Sequence, residues 1–144
     1  MIYFDTSYLA KCYLNEPHAE QVRKLAHRAD GLACSQLGRV EFWSVINRHV
    51  REGRLSRADA EVVRGLLKAD EASQVWTWLP ITARLLGNAC AMLEHLPVDA
   101  CIRSADAVHL TTAKDGGFTE IYSNDRQLLR CAVHFGLKGL DVLD

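Results

Sequence analysis

Two kinds of apolar pattern alternate along the chain. Short apolar runs indicate buried strands, and the longer stretches between them repeat apolar residues every three or four positions, as helices do. The strands are predicted at residues 2–4, 32–34, 75–79, 120–123 and 139–143, and the helices at about 8–13, 18–29, 35–53, 56–74, 82–96, 99–114 and 125–135. Because alternating strands and helices favour parallel pairing, the sequence predicts an α/β fold with a single, mostly parallel sheet flanked by helices.

The third and fourth predicted helices are joined by a short turn. Gly53 ends the third helix and Ser56 caps the fourth, which predicts an antiparallel hairpin that protrudes from the sheet. Its apolar residues, Trp43 among them, are open to two interpretations: a patch for a partner, or side chains that pack on each other. The 144 residues contain no repeats or linkers and predict one domain over residues 1–144.

Composition narrows the class of protein only moderately. Hydrophobic residues make up 49% of the chain and charged residues 24%, as in a globular protein. The net charge of -1 provides no general attraction for nucleic acid, so RNA binding would need local basic patches. Five scattered cysteines without a C-x-x-C motif indicate free thiols in a reducing compartment. With no visible signal peptide or membrane-length apolar stretch, we expect a cytoplasmic protein with no membrane partner.

Two acidic residues come directly after predicted strands. Asp5 ends the first strand, and Asp125 follows the fourth in the sequence Ser123-Asn124-Asp125. Each is a favourable helix cap, which is the structural interpretation of either residue alone. Ligands of α/β proteins also bind at the carboxyl ends of parallel strands. Two acids at this edge of the sheet therefore suggest a ligand-binding site.

Two further acids lie within predicted helices. Glu41 has bulky apolar neighbours on both sides, and we leave open whether it is exposed or faces a cleft. Asp106 shares a helical stripe with Leu110, which places it at the edge of the core or on it. A carboxylate there needs a partner, and Arg103 is available for an ion pair of purely structural significance.

Four carboxylates gathered at one edge of the sheet would repel each other unless a cation neutralised them. Oxygen ligands without nearby histidine or cysteine partners favour Mg²⁺ or Mn²⁺ over zinc. The chemistry that uses such a site is phosphodiester hydrolysis, in which the metal generates hydroxide and stabilises the charge of the transition state.

The same residues resemble the motifs of a known family. Asp5-Thr6-Ser7, Glu41, Arg103-x-x-Asp106-Ala107-x-His109-Leu110 and Ser123-Asn124-Asp125 together are similar to a PIN domain. The chain length and the helical hairpin resemble the VapC-type toxins of toxin–antitoxin pairs, and the resemblance covers essentially the whole chain.

This resemblance implies a metal-dependent endoribonuclease that acts as the toxin of a type II toxin–antitoxin pair. Asp5 and Asp106 would be direct Mg²⁺ ligands, Asp125 would complete the site, and Glu41 would bind metal or position water. Hydroxyl and guanidinium groups would support these acids, and the residues concerned are Ser7, Ser123 and Arg103. The resemblance also implies an RNA substrate, a homodimer and an inhibitory antitoxin protein.

Arginine side chains provide candidate substrate contacts. Arg126 and Arg130 follow Asp125 on the predicted helix and are weak candidates for binding RNA. Arg48 and its neighbours at the hairpin turn form a charge run, which more commonly marks a solvated helix face. His109 is expected to pack or to hydrogen-bond to Asp106.

Two other functions remain as alternatives. One is a catalytically inactive PIN-like module that binds RNA or protein and whose acids only hold structure. The other is a phosphatase similar to the haloacid dehalogenase family, with Asp5 as nucleophile. That family usually has a second Asp two residues after the nucleophile, where this chain has Ser7, so the expected general acid is missing.

Overall fold

A computed structural model of the chain describes residues 1–143. Its parallel strands are β1 Ile2–Tyr3, β2 Leu32–Ser35, β3 Trp76–Leu79, β4 Glu120–Tyr122 and β5 Lys138–Leu140. Its helices are α1 Thr6–Tyr13, α2 Ala19–Arg28, α3 Gln36–Arg51, α4 Arg57–Ala72, α5 Ala83–Glu94, α6 Ser104–Asp115 and α7 Arg126–Cys131, which continues into a 3₁₀ turn, Ala132–Phe135.

The strands follow the spatial order β3-β2-β1-β4-β5. Parallel ladders join β1 to β2, β2 to β3, and β4 to β5. Between β1 and β4 the connection is reduced to one parallel bridge, Phe4 to Tyr122, and a 3.1 Å hydrogen bond from the Asp5 N–H to the Tyr122 carbonyl. The predicted parallel α/β arrangement is confirmed, with a weak seam at its centre. The carboxyl ends of β1 and β4 lie side by side at this seam.

Tyr3, the last residue of β1, and Phe4, the next residue, point into two different hydrophobic cores. Tyr3 packs with Leu110 and Ile121, whereas Phe4 packs with Tyr8 and with other residues of α1, α3 and α4. Alternation of side chains across a strand accounts for this division, because successive residues point to opposite faces of the sheet. Helices cover both faces, so a residue at the end of β1 is buried from two sides.

The hairpin of α3 and α4 contributes its inner face to the first core. Phe42 and Ile46 of α3 and Leu67 of α4 are fully buried there. Its outer face carries Val62 and Leu66 of α4, whose exposed fractions are 62% and 51%. The interpretation that the apolar residues pack on each other is confirmed for the inner face, and a partner for the exposed residues of the outer face stays a prediction.

Three predicted element boundaries were wrong by more than two residues. The helix predicted from residue 99 begins only at Ser104, because Arg103 has extended backbone angles and acts as the residue before the first turn. The last strand ends at Leu140, since the N–H of Val142 donates to the Tyr8 hydroxyl at 2.7 Å instead of joining a ladder. The helix predicted over 125–135 tightens into a 3₁₀ turn at Ala132, and Gly136 ends it with a φ of 73°.

Candidate active site

A cleft of about 340 Å³ opens at the carboxyl ends of β1 and β4. Its lining includes the four acids selected from the sequence: Asp5, Glu41, Asp106 and Asp125. Asp5 and Asp125 come from the two strand ends, Glu41 from α3 and Asp106 from the first turn of α6. Residues far apart in sequence are thus brought to one cleft by the adjacency of β1 and β4 and by two helices packed beside them.

Asp5 is buried and extensively hydrogen-bonded. Its Oδ1 accepts from the Ser7 hydroxyl at 2.6 Å and from the Tyr8 N–H at 3.0 Å, and its Oδ2 accepts from the Ser123 hydroxyl at 2.6 Å. Burial raises the pKa of Asp5, and the charge that His109 carries when protonated and these hydrogen bonds only partly oppose that rise. The predicted cap is real, since Asp5 precedes α1, but it does not account for the two serine contacts.

Ser123 connects two of the acids. Besides donating to Asp5, its Oγ accepts the Asp125 N–H at 2.8 Å and lies 3.3 Å from the Ser7 Oγ. The Asp125 carboxylate in turn accepts from the backbone N–H groups of Gln127 and Leu128, so it caps α7 through Oδ1. One oxygen of Asp125 is therefore committed to the helix.

Asp106 is the least satisfied acid of the cleft. Its Oδ2 is shielded from solvent and has no hydrogen-bond partner within residues 1–143. Burial and the nearby charges of Asp125 and Asp5 raise the pKa of Asp106, while the backbone N–H of Arg103 opposes the rise. The alternative Arg103–Asp106 ion pair does not form, although the Arg103 side chain lines the same cleft.

Glu41 belongs to a separate hydrogen-bond network at the cleft wall. Its Oε2 accepts from the Thr6 hydroxyl and lies 2.8 Å from Nε2 of His109. The other ring nitrogen of His109, Nδ1, lies 2.9 Å from the Tyr3 hydroxyl. Burial alone would raise the pKa of Glu41, but the hydrogen bond from His109, the charge of that ring when protonated and the Thr6 hydroxyl together lower it. Glu41 therefore faces the cleft and is ionised more readily than a free glutamate.

The pKa values of Asp5 and Asp106 are raised, whereas that of Glu41 is lowered, and this difference bears on metal binding. Within residues 1–143, no three histidine, cysteine, aspartate or glutamate side chains converge closely enough to hold a metal ion in their present rotamers. The donor set nevertheless fits a hard cation: Asp106 has a buried oxygen without a partner, and the pKa values of Asp5 and Asp106 are raised in a way that a cation would reverse.

The basic side chains of the cleft differ from those selected by sequence. Arg48 and Arg103 line it, whereas Arg130 lines a different cleft beside Cys101 and His134, and Arg126 is exposed without lining either. Arg48 is exposed, as expected for a member of a solvated charge run, and it also lines the cleft. Only the position of α3 beside the strand ends shows that this one arginine turns toward the acids.

Two other residues of the site were not identified correctly from sequence. His109 was expected to contact Asp106, three residues before it, but it bonds to Glu41, 68 residues away. Thr6 was noted only as part of a motif, yet its hydroxyl donates to Glu41. No local sequence signal distinguishes these contacts, because both depend on how α3 packs against α1 and α6.

Comparisons with known proteins agree with the fold and the motifs. The sequence profile of the PIN domain matches residues 2–133. Ribonuclease VapC47 of Mycobacterium tuberculosis is 34% identical over 117 residues, which span 78% of this chain and 74% of that protein.

Solved structures support the same fold at lower sequence identity. The Mycobacterium tuberculosis VapC20, a sarcin–ricin loop cleaving toxin, matches with a TM-score of 0.70 at 20% identity, over 89% of this chain and 92% of its own. VapBC2 of Rickettsia felis, solved bound to a DNA fragment from its promoter, matches with a TM-score of 0.64 at 14% identity, over 98% of both chains.

The chain belongs to the PIN domain family. Within that family its relationship is to the VapC proteins, so the resemblance drawn from the sequence motifs is confirmed. PIN-domain ribonucleases generally use divalent metal ions. None of the helices over residues 1–143 has both the length and the apolar content needed to cross a bilayer.

Proposed function

We propose that this protein is a metal-dependent endoribonuclease of the VapC type and serves as the toxin of a type II toxin–antitoxin pair. The observation behind the proposal is the cleft itself, which is lined by Asp5, Glu41, Asp106 and Asp125 and in which one buried oxygen of Asp106 has no partner within residues 1–143. Such an arrangement is costly for a purely structural cluster, because within residues 1–143 no basic side chain forms a salt bridge with Asp5, Asp106 or Asp125.

The carboxylates of Asp5, Asp106 and Asp125 are the proposed ligands of Mg²⁺, or of Mn²⁺ in its place, and Glu41 would bind metal or orient water. A bound divalent cation would supply a hydroxide-generating centre and would stabilise negative charge on the phosphate. Ser7 and Ser123 hold Asp5 in place by donating to both of its oxygens. The pKa of Glu41 is lowered, so it is suited to accept a hydrogen bond from water as a carboxylate.

RNA is the proposed substrate, and Arg48 and Arg103 are the best-placed cations to bind its phosphates. Both line the acidic cleft, whereas Arg126 and Arg130, selected from sequence, do not. Guanidinium groups bind phosphate through paired N–H donors, and they would also offset the repulsion between RNA and the carboxylates of the cleft. The relative named Ribonuclease VapC47 and the toxin activity of VapC20 support an RNA phosphodiester as the substrate class.

An antitoxin protein and a second copy of this chain are the proposed protein partners. The relationship to VapC proteins supports the antitoxin, since VapC toxins are paired with such inhibitors, and the similarity to VapBC2 agrees with it. The exposed Val62 and Leu66 of α4 offer apolar area on which one of these partners would be accommodated.

Cleavage of RNA by the isolated protein tests the proposal. Purified protein free of any antitoxin is incubated with total RNA and Mg²⁺, beside one lane with a chelator and one with Asp106→Asn. Discrete fragments only in the wild-type lane with metal would support the nuclease, and the fragment ends would identify the target. Intact RNA in every lane, from folded protein that binds Mg²⁺, would favour the inactive binding module instead.

A further inference from the structure

The Glu41 carboxylate is hydrogen-bonded by side chains other than the four acids of the cleft. The nearest is His109, which is 2% exposed and contacts Glu41 through Nε2 at 2.8 Å. On the far side of the ring, Nδ1 lies 2.9 Å from the Tyr3 hydroxyl, and Tyr3 is fully buried. A chain of hydrogen bonds therefore runs from Tyr3 of β1, through the His109 ring on α6, to the Glu41 carboxylate on α3.

The protons of this chain can be assigned by counting donors and acceptors. A tyrosine is protonated at neutral pH, so its single hydrogen needs an acceptor. Within residues 1–143 the only side-chain partner of the hydroxyl is Nδ1 of His109. If Tyr3 donates to Nδ1, the hydrogen of the neutral imidazole must be on Nε2, where it faces Glu41.

The opposite assignments leave a buried group without a partner. With the hydrogen on Nδ1, the ring would donate to Tyr3 and the phenolic hydrogen would have no acceptor. Nε2 and the Glu41 carboxylate would then both be acceptors, with the single hydrogen of the Thr6 hydroxyl, 3.1 Å from Nε2, to be shared between them. A protonated ring would satisfy Glu41 but would still leave the hydroxyl hydrogen of Tyr3 unpaired. Leaving a buried donor unsatisfied costs more than a typical hydrogen bond contributes, so the Nε2–H tautomer is favoured.

We propose that Tyr3 and His109 are positioning residues for Glu41: Tyr3 sets the tautomer of His109, and the Nε2–H of His109 orients the Glu41 carboxylate toward the cleft. The inference rests on the proposed function only in what Glu41 then does to metal or water. Thr6 supplies a second hydrogen bond to the same Glu41 oxygen, which leaves the other oxygen free to face the cleft. The role of His109 is therefore to restrict rotation of Glu41, because a freely rotating carboxylate would have to be ordered in each catalytic cycle.

The tautomer can be measured on wild-type protein without RNA or metal. Long-range ¹H–¹⁵N correlation spectra report which ring nitrogen of a histidine carries hydrogen, and the His109 signals are assigned by their loss in His109→Gln. We expect an unprotonated Nδ1 and a protonated Nε2 in the wild type, and a shift toward a tautomer mixture in Tyr3→Phe. A wild-type ring protonated on Nδ1 would overturn the proposal, whether or not the protein cleaves RNA.

A pair of amide substitutions separates positioning from general packing. The amide of His109→Gln reaches the place of Nε2, whereas that of His109→Asn reaches only the place of Nδ1, and both variants lose the ring. We expect His109→Asn to lower kcat and Mn²⁺ affinity by about 10- to 100-fold, the usual effect of losing a hydrogen-bond partner of a metal-site residue. His109→Gln should recover most of both losses.

The controls distinguish failure of this inference from failure of the proposed function. Thermal unfolding of both variants measures the packing cost, which should be similar for the two amides. Equal losses of kcat and Mn²⁺ affinity in the two variants would overturn the positioning role. Absence of cleavage by wild-type protein would count against the nuclease alone, because the tautomer and the Mn²⁺ affinities remain measurable.

Discussion

Ser123 donates a 2.6 Å hydrogen bond to Oδ2 of Asp5, although the two residues lie 118 positions apart in the chain. The same buried hydroxyl accepts the Asp125 N–H at 2.8 Å. One side chain thus fixes the separation of two acids that arrive from adjacent strands, β1 and β4. The ladder between these strands is otherwise reduced to a single β-bridge, so the hydrogen bonds of Ser123 strengthen the contact between the two strand ends that form the cleft.

Ser123→Ala should weaken both the site and the fold. It leaves one Asp5 oxygen and the Asp125 N–H without their partner, and unsatisfied groups of this kind cost about 1–3 kcal/mol each when buried. Because the Asp5 carboxylate is buried whereas the Asp125 N–H is only partly buried, we expect a total loss of about 1–3 kcal/mol in the free energy of unfolding, measured by urea denaturation. We also expect at least a tenfold fall in the rate of RNA cleavage. Ser44→Ala, at an exposed position of α3, is the matched control and should change neither. Full activity in Ser123→Ala would contradict the assigned role.

Gly38 allows α3 to approach β2 closely beneath the site. A Cβ at this position would collide with the buried Sγ of Cys34 and would lie 3.5 Å from both His109 Cε1 and Thr6 Oγ1. Gly38→Ala should therefore destabilise the fold by about 1–3 kcal/mol, as overpacked cores do. Gly87→Ala, on exposed helix α5 with open space around it, should instead stabilise by about 0.5–1 kcal/mol.

A double variant tests whether the collision is the cause. If Cys34 is the obstacle, Cys34→Ala combined with Gly38→Ala should lose less unfolding free energy than the sum of the two single losses. Additive losses in chemical denaturation would show that Gly38 is required for another reason.

The charge of Asp106 should lower the stability of the metal-free protein. Burial and the neighbouring acids raise its pKa, so the folded state holds this proton more tightly than the unfolded chain does. Stability contributed by the protonated form is complete below the unfolded pKa of about 3.9 and is lost as the pH rises through the higher folded value. Asp106→Asn removes this loss. Near neutral pH, with a chelator present, we therefore expect its melting temperature to exceed that of the wild type by at most about 2–4 °C.

Adding Mg²⁺ should make the wild-type protein more stable than Asp106→Asn. A ligand that binds the folded state stabilises it in proportion to the logarithm of its concentration above the dissociation constant. Wild-type protein should therefore gain thermal stability with Mg²⁺, whereas Asp106→Asn should gain little. Identical responses of the two proteins in scanning fluorimetry would contradict the assignment of Asp106 to the metal site.

Arg48 and Arg103 should contribute to RNA affinity through phosphate contacts. In an Asp106→Asn background that prevents cleavage, removing either side chain should weaken binding of a single-stranded oligonucleotide by about 3- to 10-fold. Each should also reduce the slope of log affinity against log salt by about 0.7, the value for one phosphate contact. Arg130→Ala is the control, because Arg130 lines another cleft. An equal effect of Arg130→Ala in fluorescence anisotropy would place the RNA elsewhere.

Local sequence signals were sufficient for much of the fold and for the four acids. The period of apolar residues identified the strands and helices, and the caps Ser56 and Thr82 lie where they were predicted. Asp5 and Asp125 could be selected because each follows a strand. Element boundaries were less accurate where a side chain replaced a ladder partner, as the Tyr8 hydroxyl does at Val142.

Long-range contacts account for what the sequence did not predict. Whether β4 lies beside β1 depends on strand order, and only this adjacency allows Ser123 to reach Asp5. His109 contacts Glu41 rather than the acid on its own helix because α3 packs across the end of α6. The position of Arg48 relative to the cleft follows from the same packing, which no local pattern encodes.

Direct measurement of metal binding tests most directly whether the acids form a divalent-cation site. Mn²⁺, a paramagnetic substitute for Mg²⁺, is titrated into wild-type protein, Asp106→Asn and the exposed control Asp99→Asn, and free Mn²⁺ is followed by electron paramagnetic resonance. We expect saturable binding by the wild type and Asp99→Asn, and an affinity at least tenfold lower in Asp106→Asn. Equal affinities in all three proteins, or no binding by the wild type, would contradict it.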